Sequence, residues 1–353
     1  MVSMHPYAVG LGTLEQLPDA VSRTGAHNRV ALITDRNVAR HHGPRVAKLL
    51  GLKSKDLLKI PAGEQHKTRE TWARLTDEML SRKFGRDTTV VALGGGVIGD
   101  LAGFVAATYM RGVPVIQVPT TLLAMVDASI GGKTGVDTPA GKNLVGAFHR
   151  PADVIIDTSF LHTLPREHLR AGFAEIVKHG VVADAKYFDD ARDYASRWPK
   201  TVRVPDIVHL ISGSILIKSR IVENDEREAG LRKVLNFGHT IGHAIEAATS
   251  FEMLHGEAVA MGLVAEARLA ERIGIAASGT AGRIEWVCQA AGLKTDLPSI
   301  PIEKLIRYTR SDKKARGGRV EYALPKRIGE MAGADNGWSI PVDDTVVREA
   351  LRA

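Results

Sequence analysis

The chain has 353 residues and a formal net charge of +7; 44% of its residues are hydrophobic and 25% are charged. At roughly 150 residues per domain this length predicts about two domains, and the composition excludes a mainly disordered, collagen-like or coiled-coil chain. A single cysteine, Cys288, excludes an intramolecular disulfide and a zinc cluster made of cysteines.

The positive charge does not indicate nucleic-acid binding. Lysines and arginines are scattered along the chain, and aromatic residues make up only 5% of it, so a continuous basic surface with stacking side chains is not expected. Small phosphorylated ligands suit such dispersed cations better. No apolar run approaches the roughly 18 residues of a membrane span, and no signal-peptide pattern opens the chain. We therefore expect a cytoplasmic protein that binds neither nucleic acid nor membrane.

Short apolar runs alternate with helical patterns in the first half of the chain. Continuous apolar strands between helices predict a parallel sheet covered on both faces. The predicted strands are residues 30–35, 88–93, 113–118 and 154–157, and the clearest helices are residues 68–83 and 97–110.

The pattern becomes helical after Pro165. Apolar residues recur with the period of a helix, and a short β-rich segment and a last helix follow. The predicted helices are residues 166–179, 204–222, 239–248, 256–273 and 281–291. We therefore divide the chain into domains of residues 1–164 and 165–353.

Glycines mark the junction between a predicted strand and helix at Gly94-Gly95-Gly96. They allow close approach to a phosphate at the start of the helix, although a tight turn alone would also need them. The G-x-G-x-x-G fingerprint is not met.

Asp35, at the end of another strand, suits either a ribose hydroxyl or a helix N-cap. Lys133 and Lys142 each follow a glycine and suit either an anionic ligand or solvent.

Two histidines, His239 and His243, are spaced four residues apart, which places both imidazoles on one helix face. His255 follows soon after. Histidines and carboxylates in apolar surroundings suit a divalent cation with nitrogen and oxygen ligands, although helix caps and core histidines would give the same pattern. The spacing leaves the ligands open among His239, His243, Glu246, His255 and Glu257.

Further charges surround this region. Glu175 and Lys178 are spaced as an ordinary helical ion pair, but their helix is apolar. Several basic side chains could together bind a phosphate and a carboxylate, although each alone suits solvent. They are Lys218, Arg220, Arg232, Lys313 and Lys314.

Taken together, these motifs resemble those of the 3-dehydroquinate synthase family of the sugar phosphate cyclase group. The resemblance covers most of the chain, and the motifs occur in the family's order at residues 63–67, 94–100, 120–121, 127–133, 141–143, 174–178, 235–239 and 255–257. It implies an α/β fold plus α: an N-terminal Rossmann-like parallel-sheet domain that binds NAD and a C-terminal, mainly helical domain that binds a metal and the substrate. It also implies a homodimer.

The resemblance implies a lyase of the shikimate pathway, in aromatic amino acid and chorismate biosynthesis. The reaction converts 3-deoxy-D-arabino-heptulosonate 7-phosphate to 3-dehydroquinate and phosphate. NAD takes a hydride from C4 of the substrate and is transiently reduced, phosphate is eliminated from C7, and NADH returns the hydride. Ring opening and an intramolecular aldol closure then form the carbocycle. The alternatives are a sibling cyclase of the valiolone or deoxy-inosose type, a metal- and NAD-dependent alcohol dehydrogenase, and a binding protein without activity.

By the same resemblance one zinc or cobalt ion is bound by Glu175, His239 and His255, and His243 takes an acid–base role instead. The implied NAD residues are Asp35, Glu64, Lys67, Gly95, Gly96, Val97, Asp100, Thr120, Thr121, Lys133, Lys142, Phe160 and Thr163. The implied substrate residues are Arg111, Asp127, Lys133, Lys142, Asn143, Lys178, Lys218, Arg232, Asn236, His243 and Lys314. Those with catalytic roles are Lys133, Lys178, Lys218, Arg232, Asn236 and His243.

Overall fold

The computed structural model describes residues 2–4, 6–25, 29–198, 204–311, 315–316 and 319–352. It forms two compact units: residues 1–165 with 201–212, and residues 166–200 with 213–353. The strands are β1 (Val2–Met4), β2 (Tyr7–Gly10), β3 (Arg29–Asp35), β4 (Leu58–Ile60), β5 (Thr88–Gly94), β6 (Val115–Pro119), β7 (Lys133–Thr138), β8 (Gly141–Phe148), β9 (Asp153–Asp157), β10 (Ala315–Arg316), β11 (Arg319–Tyr322), β12 (Pro325–Arg327), β13 (Glu330–Met331) and β14 (Ile340–Val342).

In the first unit, α-helices lie in the connections between successive strands. They are α1 (Leu17–Arg23), α2 (Arg36–His41), α3 (Gly43–Leu49), α4 (Arg69–Ser81) and α5 (Gly96–Thr108). The others are α6 (Arg166–Ala183), α7 (Ala185–Ser196), α8 (Val204–Asn224), α9 (His239–Ala248), α10 (His255–Arg272), α11 (Thr280–Ala290), α12 (Ile302–Ser311) and α13 (Asp344–Arg352). Helix α8 runs through the boundary between the two units.

A seven-stranded sheet organises the first unit, in the order β1-β2-β9-β6-β5-β3-β4. Only the β1–β2 pair is antiparallel among these strands. Every residue of β5, β6 and β9 is buried, including Thr88, Thr89 and Gln117, which explains why these strands are mainly apolar and show no polar alternation. The predicted parallel sheet is confirmed.

The segment between β6 and β9 contains structure that was not predicted from the sequence. A π-helical turn spans Ala124–Ala128. The antiparallel hairpin β7–β8 follows, with Lys133 paired to Phe148 and Thr138 to Gly141. Strand β8 was missed because its residues are mostly exposed and show no apolar alternation.

The second unit is mainly helical, as expected, with small sheets β10-β11-β14 and β12-β13 near its end. Helices α9 and α10 contribute Ile241, Ile245, Met261 and Leu269 to one core cluster, which also contains Tyr322 of β11. Among the described residues, no helix combines the length and apolar character that crossing a membrane would require.

Glycines allow the helices that carry the candidate metal ligands to pack closely. A Cβ on Gly256 of α10 would lie 1.9 Å from the carbonyl oxygen of Ala171 in α6. A Cβ on Gly262 of α10 would lie 1.9 Å from the carbonyl oxygen of Gly238, just before α9. No side chain fits at either position, so both contacts depend on glycine.

Candidate active site

Most of the residues expected to bind NAD lie at or just after the carboxyl ends of parallel strands. Asp35 ends β3, Glu64 and Lys67 follow β4, and Gly95 and Gly96 follow β5. Thr120 and Thr121 follow β6, and Phe160 and Thr163 follow β9. Neighbouring parallel strands end at the same sheet edge, which is where open α/β sheets bind ligands.

The turn from β5 to α5 has the close packing that its three glycines suggest. Gly95 is the N-cap of α5, and no side chain caps this helix start. A Cβ on Gly95 would lie 3.0 Å from Thr121, and one on Gly94 would lie 2.6 Å from Ile98. The turn therefore needs small residues for its own geometry, and it also presents the backbone N–H groups of a helix start.

Asp35 caps the start of helix α2. Its Oδ1 accepts hydrogen bonds from the backbone N–H of Asn37 at 2.8 Å and of Val38 at 3.0 Å. Beyond β9, the Thr163 hydroxyl lies 2.7 Å from the His42 ring, and that ring packs edge-on against Phe160. His42 was not singled out in the sequence, where it has no motif around it. A ribose contact for Asp35 stays a prediction.

Lys67 is buried among carboxylates. Its Nζ lies 3.0 Å from Asp100, 3.1 Å from Glu64 and 3.8 Å from Asp137, and the residue is only 3% exposed. Lys142 lies 4.0 Å from the same Glu64 oxygen. Four predicted NAD residues are thus brought together from separate segments.

The pKa values within this group are shifted by burial and by nearby charges. Burial opposes the charge of Lys67, but Asp100, Glu64 and Asp137 outweigh it and raise the pKa of the lysine. Burial also opposes the charge of Glu64, but Lys67 and Lys142 lower the pKa of that carboxyl. Burial raises the pKa of Asp137 despite the nearby Lys67.

Asp137 is a residue of this group that the sequence analysis missed. Its backbone N–H donates to the carbonyl of Lys67 at 2.7 Å, and its Oδ1 accepts from the backbone N–H of Asn143 at 2.9 Å. Asn143 adopts a left-handed conformation, with φ of 54°. Asp137 therefore connects the Glu64–Lys67 segment to the turn that carries Lys142 and Asn143.

The remaining predicted site residues of the first unit lie on other segments. Lys133 begins β7 and is exposed, and Asp127 lies in the π-helical turn. Arg111 is exposed, with φ of 70°, at the end of a short 3-10 helix after α5. Their substrate contacts stay predictions.

In the second unit, Glu175 and Lys178 form a buried ion pair on α6. Glu175 is 0% exposed and Lys178 is 2% exposed, and Lys178 Nζ contacts Glu175 Oε2. A fully buried carboxylate is costly unless cations or hydrogen-bond donors compensate its charge. The pair is therefore part of a built site rather than a surface contact.

Two imidazoles face the other oxygen of Glu175. The Nε2 atom of His239 lies 3.4 Å from Glu175 Oε1, and that of His255 lies 3.6 Å from it. On the opposite side of each ring, Nδ1 forms a hydrogen bond. Nδ1 of His239 donates to the Phe237 carbonyl at 3.1 Å, and Nδ1 of His255 lies 3.0 Å from Oε2 of Glu246. One ligand atom from each residue lies within 4.8 Å of the others. This donor set fits a divalent cation such as zinc.

The two histidines have opposite pKa shifts. Burial lowers the pKa of His239 to about 4, and nearby Lys178 adds to the effect. Burial also acts against the charge of His255, but Glu246 and Glu175 outweigh it and raise its pKa to about 10. Near neutral pH and without a metal, the His255 imidazole is therefore protonated and the His239 imidazole is neutral.

His243 lies beside this set. Its ring centroid is 5.4 Å from that of His239 and 5.9 Å from that of His255. Atoms of His243, Glu246 and His255 also lie within 4.8 Å of one another, so this second group could hold a cation too. Glu257, the remaining candidate, belongs to neither of these two groups in the described part of the chain.

Other predicted substrate residues of the second unit are largely buried. Lys218 on α8 is 7% exposed and Arg232 is 3% exposed. Arg232 Nη1 donates to the Glu226 carbonyl at 2.6 Å, and the Asn236 amide donates to Glu228 at 2.5 Å. Buried cations of this kind are suited to anionic groups. Lys313 and Lys314 lie outside the described residues.

Comparison with protein families gives two adjoining matches. Residues 57–171 match the model described as 3-dehydroquinate synthase N-terminal, and residues 172–315 match 3-dehydroquinate synthase C-terminal. The chain is 41% identical to a 3-dehydroquinate synthase of Nostoc punctiforme, over 98% of this chain and 95% of that protein. It is 46% identical to one of Acidithiobacillus ferrooxidans, over 85% and 83% of the two chains.

Solved structures with the same fold include two synthases. A 2-deoxy-scyllo-inosose synthase in complex with carbaglucose-6-phosphate, NAD+ and Co2+ is 29% identical, with a TM-score of 0.88 over 98% of this chain and 96% of that one. A 2-epi-5-epi-valiolone synthase from Streptomyces hygroscopicus with NAD+ and Zn2+ is 28% identical, with a TM-score of 0.85 over 100% and 96%. A probable glycerol dehydrogenase from Sinorhizobium meliloti, 17% identical with a TM-score of 0.67 over 98% and 95%, shares the fold alone.

Proposed function

The chain belongs to the 3-dehydroquinate synthase family, and from this premise we propose which of its residues carry the reaction. The reaction converts 3-deoxy-D-arabino-heptulosonate 7-phosphate to 3-dehydroquinate and phosphate in the shikimate pathway. Identities of 41% and 46% to synthases of this family, against 29% and 28% to the 2-deoxy-scyllo-inosose and 2-epi-5-epi-valiolone synthases, favour this activity over a sibling cyclase.

Glu175, His239 and His255 would hold one zinc or cobalt ion. The observation that carries this assignment is that both Nε2 atoms face one buried oxygen of Glu175, while each Nδ1 atom is engaged elsewhere. When bound, the cation would polarise hydroxyls of the substrate, and NAD would accept a hydride and later return it. Three protein ligands suit a catalytic rather than a purely structural zinc site.

The segments at the sheet edge of the first unit would bind NAD. The start of α5 offers backbone N–H groups and the positive end of a helix dipole to a pyrophosphate. The Lys67 cluster fixes the loop after β4 through three carboxylates. The glycines at residues 94–96 allow the close packing of this turn, because a Cβ on Gly94 would lie 2.6 Å from Ile98 and one on Gly95 would lie 3.0 Å from Thr121.

Buried cations would bind the substrate's carboxylate and phosphate. We assign Lys178, Lys218 and Arg232 to this role in the second unit, since each is less than 10% exposed. They would also stabilise the negative charge that develops when phosphate leaves C7. In the first unit, the family resemblance assigns Lys133, Lys142 and Asn143 to the binding of anionic groups.

His243 would move a proton next to the metal centre. Its ring lies beside both candidate ligands, 5.4 Å and 5.9 Å from their ring centroids. His243 is outside the proposed ligand set, and an imidazole is the side chain best suited to general acid–base chemistry near neutral pH. Asn236 would hold a substrate hydroxyl through its side-chain amide.

We further propose a homodimer that works in the cytoplasm. Strand β8 presents Leu144, Val145 and Phe148 to solvent, with 40%, 36% and 51% of their surfaces exposed. Exposed apolar side chains on one strand are typical of an interaction surface. Light scattering after gel filtration tests this proposal: a mass near twice 38.1 kDa supports it, and a monomer at micromolar concentration contradicts it.

The central experiment measures metal content and phosphate release together. Purified protein should release phosphate from 3-deoxy-D-arabino-heptulosonate 7-phosphate only with NAD and without chelator, and should accumulate no NADH. Glu175→Gln should lose both metal and phosphate release, whereas Glu252→Gln, which changes an exposed glutamate three residues before His255, should keep both. Turnover of sedoheptulose 7-phosphate alone would contradict the substrate assignment, and stoichiometric NADH would indicate a dehydrogenase.

A further inference from the structure

Helices α9 and α10 begin at the two candidate histidine ligands. His239 is the first residue of α9 and His255 is the first residue of α10. Each helix also carries a buried glutamate further along: Glu246 on α9 is 2% exposed and Glu266 on α10 is 0% exposed. Buried glutamates are rare unless they bind specific partners.

Glu246 reaches from α9 to the start of α10. Its Oε2 lies 3.0 Å from Nδ1 of His255, the ring nitrogen opposite the one that faces Glu175. A carboxylate at this position fixes the ring orientation and the tautomer, and it increases the basicity of the other nitrogen. Glu246 thus has the geometry of an outer partner of a metal-binding imidazole.

Glu266 reaches in the reverse direction, from α10 to the start of α9. Its Oε2 accepts from the backbone N–H of Gly238 at 2.7 Å, and its Oε1 accepts from that of Ile241 at 2.9 Å. Gly238 is the N-cap of α9, has φ of 78° and offers no side chain for capping. Glu266 therefore supplies the cap from another helix and holds the turn in which His239 lies.

Close packing of α9 against α10 makes both of these contacts possible. A Cβ on Gly238 would lie 2.6 Å from the Leu263 side chain, and one on Gly242 would lie 3.2 Å from the Ala258 carbonyl oxygen. The two helices approach each other closely along this face, so a glutamate on either one can reach the first turn of the other.

We propose that Glu246 and Glu266 are positioning residues of the metal centre, each holding the ligand-bearing start of the other helix. The proposal rests on the assignment of Glu175, His239 and His255 as metal ligands. Neither glutamate needs to touch the cation: Glu246 acts through the His255 ring, and Glu266 acts through the backbone on both sides of His239.

The test measures metal affinity rather than turnover. Metal-free protein is titrated with Co2+, followed by its visible absorption, and with Zn2+ in competition with a chromogenic chelator. Glu246→Gln keeps an oxygen for the His255 ring but loses the charge, and should weaken binding about 10-fold; Glu246→Ala should weaken it about 100-fold. Glu266→Gln places an amide N–H against a backbone N–H, and should weaken binding about 10-fold and lower the melting temperature of the metal-free protein.

Glu252→Gln is the control, because it removes the same charge three residues before His255, at an exposed position outside the candidate ligands. It should bind both metals with the parent's affinity. If Glu246→Gln and Glu266→Gln bind as tightly as this control, or if they only lower the melting temperature, the positioning role is wrong while the metal centre stands. If the parent and the control bind no metal, the metal centre itself is wrong, and the proposal fails with it. Should Glu246→Ala fail to fold, the near-isosteric Glu246→Gln carries the test.

Discussion

Lys67→Met removes one buried positive charge and keeps most of the side-chain volume. Lys67 is 3% exposed and lies 3.0 Å from Asp100, 3.1 Å from Glu64 and 3.8 Å from Asp137. The variant leaves three carboxylates close together without their shared cation. We expect a large loss in the free energy of unfolding, measured by urea denaturation in the absence of NAD.

The size of the loss follows from the burial of the partners. Removing one member of a fully buried ion pair costs about 3–5 kcal/mol, whereas an exposed pair contributes about 0–1 kcal/mol. The three partner carboxylate side chains are between 16% and 37% exposed, so solvent screens part of the repulsion among them. We therefore expect a loss of about 2–3 kcal/mol near neutral pH.

The loss should shrink as the pH falls. In the parent, the pKa of Glu64 is lowered in the folded state, so its contribution to stability is present above its unfolded pKa and is lost on acidification. The raised pKa of Asp137 acts in the opposite direction and offsets part of that loss. Without Lys67 the carboxyls repel one another, their folded pKa values rise, and protonation relieves the repulsion. The difference between parent and variant should thus be largest near pH 7 and smallest near about pH 4.

Lys186→Met controls for the loss of a lysine as such. Lys186 is 84% exposed and lies 3.4 Å from Asp190, so its variant should differ from the parent by less than about 1 kcal/mol at every pH. A Lys67→Met protein whose deficit stays constant between about pH 7 and about pH 4 would refute the argument, because repulsion among carboxylates must titrate.

Three further predictions concern single positions in the second unit. Gly256→Ala should cost about 3 kcal/mol in the free energy of unfolding and lose metal affinity, since the added Cβ would lie 1.9 Å from the Ala171 carbonyl oxygen; a stable, metal-binding variant would show that α6 and α10 can separate. Gly282→Ala, in α11 with no atom within 4 Å of the added Cβ, should stabilise the protein by about 0.5–1 kcal/mol in the same denaturation assay, and a loss would contradict the open space. Burial raises the pKa of the Cys288 thiol to about 12, so the native protein should not react with a thiol reagent near pH 8. The urea-unfolded chain should react once, and rapid labelling of native protein would contradict the burial.

Four strands of the seven-stranded sheet, β3, β5, β6 and β9, were predictable because they are buried apolar runs, whereas β1, β2 and β4 were not predicted. Strand β5 is apolar or threonine up to its last residue, and all seven of its positions are buried. The hairpin β7–β8 was not predictable in the same way. Most of β8 is exposed, so no burial pattern marked it, and its two glycines and one lysine resemble a loop.

The metal centre was only partly predictable from spacing. The pair His239 and His243 gives a clear helical signal, yet the ring of His255, which begins a different helix, faces Glu175 together with His239. Glu175 itself gives no spacing signal, since three residues from Lys178 it looks like an ordinary ion pair. The family resemblance named it, and burial at 0% exposure distinguishes it from a surface pair.

The Glu175–Lys178 pair allows function to be separated from stability. Burying an ion pair costs solvation free energy that the attraction between the two charges offsets only in part. Replacing both members by apolar groups is therefore often neutral or stabilising, whereas removing one member leaves the other charge buried and uncompensated. For metal-free protein we expect Lys178→Met to lose about 3 kcal/mol and Glu175→Leu with Lys178→Met together to lose less than Lys178→Met alone. Chemical denaturation of the parent, both single variants and the double variant gives the coupling energy. A double variant less stable than Lys178→Met would mean that the pair stabilises the fold; the expected order means that the pair is kept for the metal and the substrate.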